Sequence, residues 1–260
     1  MAELDTTRTD DSGADAIILA AGKGTRMEGD LAKVLFPVAD RPMLWWVVRA
    51  CRRAGVRRCV VVVGYQAGAV QDAMAEEPSC AFVEQVEQLG TGHAAQMAAP
   101  QFDPAASRDV FVLAGDGPLI RPAILERMLE THRREKAAAT IATAVVDDPE
   151  GYGRIVRDDK GRFEAIVEQK DATAAQRGIR EINVSYYCFD SALLFDALER
   201  VGNDNEQGEF YLTDVPELLR RDGRRVALLE AVAPEDVLGV NTPQQLAEVD
   251  QILRARRQPR

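Results

Sequence analysis

The 260-residue sequence has no apolar run near the ~20 residues needed to cross a bilayer, which excludes a membrane-spanning helix. Its four cysteines, Cys51, Cys59, Cys80 and Cys188, lack paired spacing, which argues against a disulfide frame or zinc site and for reduced thiols. Positive charge is in deficit: 32 Lys and Arg against 42 Asp and Glu give a formal net charge of −10, which disfavours nonspecific nucleic-acid binding. Met1 to Gly13 lacks the basic start and apolar stretch of a secretory signal; it reads as a disordered acidic tail, and the expected compartment is the cytoplasm. The arginine-rich end, Arg254 to Arg260, is short and without interleaved aromatics, so it reads as a solvated helix terminus with no assigned function. No internal repeat or linker appears. A single domain over 14–255, followed by a tail at 256–260, is the economical reading.

Within that domain, Asp15 to Ala20 is a short apolar run that ends in glycines and precedes a helical pattern from Pro42 to Ala54. Cys59 to Val63 and Val110 to Ala114 are further buried strands, closed by Gly64 and by Gly115-Asp116. Apolar strands alternating with amphipathic helices imply a doubly wound, mostly parallel sheet, whose ligands sit beyond the carboxyl ends of the strands. After Gly151 the texture changes. Gly153 to Val156 and Glu164 to Val167 read as a hairpin around Asp158-Asp159-Lys160-Gly161, and Asn183 to Phe189 as another strand. Helices are expected over Ser191 to Arg200, over Tyr211 to Arg221 with Thr213 or Asp214 at its start, and over Pro243 to Arg254.

Leu19-Ala20-Ala21-Gly22-Lys23-Gly24-Thr25-Arg26-Met27 follows the first strand directly, and its small residues let backbone N–H groups approach an anion. It departs from the P-loop at Ile17 and Gly24, and from the dinucleotide fingerprint at Met27, so kinase and dehydrogenase readings lose support. Lys33 lies just downstream, where its ammonium can return to the anion faced by Arg26. Asp116, on the tight turn Ala114-Gly115-Asp116-Gly117-Pro118, is a candidate Mg²⁺ ligand, or equally the cap of the helix after Pro118. Val240-Asn241-Thr242-Pro243 reads as a strand end entering a helix, with capping a fair account of Asn241. His93 reads as structural, His132 as part of an exposed helical stretch without a role, and Met43 to Trp46 as core at helical spacing.

Ten pieces then occur in a telling order: the Leu19–Met27 loop, Lys33-Val34-Leu35, Glu87-Gln88-Leu89-Gly90-Thr91-Gly92-His93-Ala94, Gly115-Asp116, Gly151-Tyr152-Gly153-Arg154-Ile155-Val156, Ile166-Val167-Glu168, Lys170-Asp171-Ala172-Thr173, Glu181-Ile182-Asn183, Gln207 to Asp214, and Gly239-Val240-Asn241. From about Asp15 to about Asp250 this series resembles bacterial N-acetylglucosamine-1-phosphate uridylyltransferases; the first loop alone would indicate only the wider sugar nucleotidyltransferase superfamily. The resemblance implies a Rossmann-like, doubly wound α/β fold of the nucleotide-diphospho-sugar transferase type, with an inserted sugar-binding β lobe. The nucleotide would lie mainly on 14–145 and the sugar mainly on 146–255.

What the resemblance implies for the site goes residue by residue. Leu19, Ala20, Ala21, Gly22, Gly24, Thr25 and Gly115 would hold the nucleotide, with Arg26 and Lys33 facing the triphosphate. Gln85, Gly90 and Thr91 would read uracil, with Gln88 beside them; a glutamine amide suits a base that presents carbonyl acceptors next to an N–H donor. Gly153, Glu168 and Asn183 would take the sugar, and Asp116 and Asn241 would hold Mg²⁺, or alternatively Mn²⁺. Asp116, Lys33 and Arg26 would carry catalysis of UTP and a sugar 1-phosphate, N-acetylglucosamine 1-phosphate first, to a UDP-sugar and pyrophosphate, in a cytoplasmic enzyme of cell-wall precursor synthesis. Alternatives are a pyrophosphorylase for another sugar or nucleotide, and a non-catalytic nucleotide-sugar binding regulator.

The sequence departs from the pattern at Ala32 (usually Pro), Ala114 (usually Tyr), Gly117 (usually Val) and Val184-Ser185 (usually Thr-Gly). The first three are expected to loosen two loops, and the last to alter the choice of hexosamine. The hexapeptide repeats of the bifunctional members are missing from the sequence, so acetyl transfer and the trimer built on those repeats are not expected of this chain.

Overall fold

A computed structural model describes residues 13–27 and 29–257; the remainder of the expected tails, 1–12 and 258–260, lies outside the described residues. Strand β1 (Asp15–Ala20) sends Ala16 and Ile18 into one core and Ile17 into another, which is why its apolar run is continuous rather than alternating. It pairs in parallel with β4 (Cys59–Val63) and β6 (Asp109–Ala114), and β4 pairs in parallel with β5 (Cys80–Glu84). Beyond β6 come β10 (Glu181–Asp190), β7 (Ala139–Val145) and β11 (Val226–Glu230), giving the order β11-β7-β10-β6-β1-β4-β5. Along this path β10 alone runs against the others, so the sheet is mixed but mostly parallel. The expected hairpin is present as β8 (Arg154–Arg157) and β9 (Phe163–Val167), hung from β10 and followed by the short helix α5 (Ala174–Arg177). Two short strands, β2 (Pro37–Val38) and β3 (Arg41–Pro42), form a separate ladder.

Helices α1 (Met43–Arg53), α2 (Ala67–Ala73) and α4 (Pro122–Arg134) bury Leu44, Val70 and Met128 against one face of the sheet. The other face receives α3 (Thr91–Gln96), α6 (Ser191–Leu198) and α7 (Val215–Arg221) through Ala95, Leu194 and Leu219. This is the doubly wound arrangement, and β1 lies where the chain order turns from β4 on one side to β6 on the other, the place such sheets leave a crevice. A third, smaller core joins Met27, Val38, Met43, Leu119 and Val240 to Val249 and Leu253 of α8 (Pro243–Arg257).

Several expectations are corrected. Strands β5, β7 and β11 were not foreseen. The helix expected from Tyr211 begins only at Val215, after a 3-10 turn over Leu212–Asp214, and neither Thr213 nor Asp214 caps it with a side chain. Arg256 and Arg257, expected in a tail, belong to α8. His132 is fully buried, not exposed: it faces the sheet, with Nδ1 3.0 Å from Thr140 Oγ1 and Nε2 3.5 Å from Asp109.

Candidate functional site

The loop after β1 is pinned from several sides. Gly115 N–H donates to Leu19 O (2.9 Å), Tyr65 N–H to Ala21 O (3.1 Å) and Gln88 Nε2 to the same oxygen (3.0 Å). A Cβ on Gly115 would stand 2.9 Å from Leu19 O, and one on Gly64 2.8 Å from Ala21 O, so these two glycines allow the strand ends to meet. Gly24 has a φ of +68°, and the Lys33 side chain packs where its Cβ would be, 2.7 Å away. Glycine there aims Lys33 inward.

Lys33 Nζ bonds the Asp116 carboxylate and lies 2.7 Å from Asn241 Oδ1, which Arg26 Nη2 also approaches at 3.5 Å. Four residues from three distant segments thus converge. Asp116 caps no helix, because α4 starts at Pro122 with Arg121 before it. Asn241 is not a side-chain cap either: Thr242 Oγ1 accepts from Gln245 N–H, while the Asn241 side-chain oxygen Oδ1 faces the cations. Val240 N–H donates to Asp116 O (3.2 Å), which ties the two segments side by side.

Two cavities meet here. One, of about 350 Å³, is lined by Leu19 to Gly22, Lys33, Gln85, Gln88, Gly90, Thr91 and Asp116. The other, of about 240 Å³, is lined by Asp116, Tyr152, Gly153, Glu168, Asn183 and Asn241. Ala114, Asp116, Glu168 and Ser185 line both and form the neck. Gly24, Thr25, Arg26 and Gly115 line neither cavity; they support the loop or approach from its edge.

In the larger cavity Gln85 is buried, and its Nε2 bonds Gly90 O (3.1 Å) and His93 Nδ1 (3.0 Å). His93 therefore holds the Gln85 amide nitrogen, which leaves the amide oxygen of Gln85 uncommitted. Gly90, at φ +113°, packs under the backbone of Phe210, and Thr91 Oγ1 accepts from Leu212 N–H (3.0 Å).

In the smaller cavity a Cβ on Gly153 would lie 3.5 Å from Glu168 Oε2 and 3.6 Å from Asn183 Cβ, so the three residues adjoin. Burial pushes the Glu168 carboxyl up, with Asp171, Asp214 and Glu209 adding to the rise and the Thr213 hydroxyl opposing it. Asn183 donates to Tyr187 Oη (2.6 Å) and accepts from Ser185 N–H (3.1 Å) across a bulge in β10. Ser185 holds a left-handed φ of +59°, an uncommon state for a residue with a side chain. The buried Arg154 anchors this wall, donating to the Tyr152 carbonyl and to Gln169 Oε1 (2.7 Å).

Sequence reasoning missed Thr213, Tyr187 and Arg154 as site residues, whereas Ser185, expected beside the sugar, lines both cavities. Thr213 was read as a helix start; its buried hydroxyl lacks a partner of hydrogen-bond geometry and borders the larger cavity. The loops expected to be slack are also held. Ala32, at φ −56°, donates its N–H to Gln66 Oε1 (2.8 Å), a bond a proline could not make, and Gly117 packs against Tyr186.

A family model described as the MobA-like NTP transferase domain matches residues 16–215. The chain belongs to this family. It is a nucleotidyltransferase. It is 49% identical over 241 residues to the bifunctional protein GlmU of Geobacter metallireducens, and 45% identical to that of Geobacillus thermodenitrificans, in each case over 93% of this chain. It spans about half the length of these relatives, 50% and 52%. A solved UDP-glucose pyrophosphorylase in complex with UDP-glucose superposes with a TM-score of 0.77, covering 94% of this chain and 100% of that one; at 17% identity it shows the shared fold. Among the described residues of this transferase, no helix is long and apolar enough to cross a membrane.

Proposed function

We propose that this transferase joins UTP to a sugar 1-phosphate, N-acetylglucosamine 1-phosphate or a close relative, forming a UDP-sugar and pyrophosphate. The observation that carries the reading is the convergence of Lys33, Asp116 and Asn241 at the neck between two cavities. The larger cavity takes the nucleotide on residues of 14–145, and the smaller takes the acceptor on residues of 146–255. Gln85 offers a carbonyl oxygen to the uracil N3–H; cytosine has no hydrogen there, so UTP is favoured over CTP.

Among the described residues no cluster of three His, Cys, Asp or Glu side chains forms a metal cage. The side-chain oxygens of Asp116 and Asn241, which both accept from the Lys33 ammonium in this structure, are the hard donor pair that would hold Mg²⁺ or Mn²⁺ with water and phosphate oxygens completing the shell, once the ammonium turns to the phosphates. When bound, the ion would neutralise phosphate charge between the two substrates. Lys33 and Arg26 add positive charge at the same point, and the main chain of Ala20 to Gly22 cradles the triphosphate. An acceptor phosphate oxygen, aligned by Glu168, Asn183 and Gly153, attacks the α-phosphorus in line. The new O–P bond forms as the bond to the β-phosphate oxygen breaks, and pyrophosphate leaves with that electron pair. No proton need be removed from the nucleophile, which accords with a positioning role for His93. The reading is of a cytoplasmic enzyme.

Pyrophosphate release from UTP with N-acetylglucosamine, glucosamine and glucose 1-phosphates, with and without Mg²⁺, tests it. Metal-dependent release that disappears in Asp116→Ala supports the reaction and names the sugar. Release with CTP or dTTP instead of UTP would replace uridylyl transfer with another specificity.

A further inference from the structure

A groove of about 480 Å³ shares no lining residue with the catalytic cavities. It runs between α1, the 118–122 segment and α8, and five arginines border it: Arg49, Arg53, Arg121, Arg256 and Arg257. In a chain of net charge −10 this is a local reversal of sign. Carboxylates answer only part of it. Asp236 pairs with both Arg121 and Arg256, and Asp40 lies 3.6 Å from Arg257 while bonded to Arg254. Arg49 and Arg53 have no ion-pair partner among the described residues, whereas their neighbour Arg52 is paired with Glu77.

Arg49 is also held in place. Its guanidinium carbon lies 4.8 Å from the Trp45 ring centroid and 5.6 Å from that of Trp46, and Arg257 approaches Trp46 at 5.9 Å. Partial burial and the nearby Arg53 and Arg257 weigh against the Arg49 charge. Like charges fixed in a shared groove are relieved by a counter-anion, and planar guanidinium forks match oxyanions in two-pronged geometry. The groove's few hundred Å³ match a small ligand rather than an extended polymer, which the overall negative charge would repel.

We propose that this groove is a second binding site, for a small multivalent phosphate-type oxyanion, with Arg49 and Arg53 as its principal contacts. Its occupant is either free polyphosphate, such as pyrophosphate, or a phosphate ester.

Of the two tryptophans of the chain, Trp46 lines the groove and Trp45 contacts its Arg49, and neither lines the catalytic cavities, so intrinsic fluorescence reports on the groove. The full chain is titrated at constant ionic strength with pyrophosphate, glycerol 2-phosphate and citrate. A saturable change is expected, weakened by about tenfold or more in Arg49→Gln/Arg53→Gln and retained in Lys33→Ala, whose defect lies in the catalytic cavities. A tighter response to pyrophosphate or to the ester identifies which phosphate source the site takes. Absence of saturation, an equal response to citrate, an unchanged response in the double variant, or loss in Lys33→Ala would overturn the proposal. Should the double variant fail to fold by circular dichroism, the exposed Arg53→Gln alone serves as the decisive variant.

Discussion

The two cavities are built in different ways. The larger one rests on the carboxyl ends of parallel strands, where glycines bring backbone onto backbone: Gly115 onto Leu19, and Gly64 onto Ala21. Its polar side chains are committed to neighbours, as in Gln85 with His93 and Gln88 with Ala21 O. The smaller cavity is walled by an antiparallel hairpin and a bulged strand, with a left-handed Ser185 and a raised Glu168. A site framed by main chain is rigid and general, suited to an invariant ligand. A site framed by side chains on a bulge is adjustable, suited to a ligand that changes between relatives.

The largest effect is expected where the two cavities meet. Lys33→Ala should lower the turnover of pyrophosphate release by about a thousandfold, because charge stabilisation on both substrates is lost together. A loss confined to KM for one substrate would show that Lys33 belongs to one cavity only. On the nucleotide side, Gly115→Ala forces a Cβ within 2.9 Å of a backbone oxygen and should lower stability by about 1–3 kcal/mol, read as a fall in Tm. An unchanged Tm would mean that the frame is less rigid than the comparison holds.

On the acceptor side, Ser185→Gly removes a side chain from the neck and a left-handed strain. It should shift acceptor preference by about three- to tenfold in kcat/KM while leaving KM for UTP unchanged. Equal shifts for both substrates would erase the distinction between the cavities. Gln66→Ala removes the bond that stands in for a proline at Ala32 and should cost about 1 kcal/mol in denaturant unfolding.

The smallest effect concerns pH. Burial, then the Glu217 and Asp171 charges, raise the Asp214 carboxyl to about 6 from 3.8. The folded state holds that proton more tightly than the unfolded chain, so stability falls as pH rises from about 4 to about 6. After allowance for solvent screening the change is about 1 kcal/mol or less, and Asp214→Asn should flatten it in urea titrations.

The same contrast decides what could be read from the sequence. β1 and β4 were legible to the residue because both faces of each strand are buried almost throughout and, apart from Asp15 at the start of β1, the runs are apolar. β7 was not: Thr140 and Thr143 interrupt it, buried against His132 and Glu181 by hydrogen bonds that no hydropathy pattern carries. β5 is only half-buried at the sheet edge, and its pattern is correspondingly weak. His132 looked exposed because its helix is rich in charge, yet it sits on the turn of α4 that meets the sheet. At the site, the glycine loop, Lys33, Asp116 and Asn241 were foreseen through ordered motifs, and the structure brings them together. Thr213 and Arg154 were given no site role, though both lie within quoted motifs, because their roles depend on burial: one a buried hydroxyl beside Glu168, one a guanidinium holding a loop by its carbonyl.

The small core beneath the neck has a consequence for how the protein can be silenced. Met27, Leu119 and Val240 stand next to Arg26, near Asp116 and next to Asn241, and all three rest on a core completed by Val249 and Leu253 of the last helix. That helix is latched by Asp250, which accepts from Ala39 N–H, and by Arg254 on Asp40. A protease that cut ahead of residue 243 would leave every strand of the sheet in the chain, yet would unseat the three anchors at once. The protein would cease to be an enzyme before it ceased to be folded.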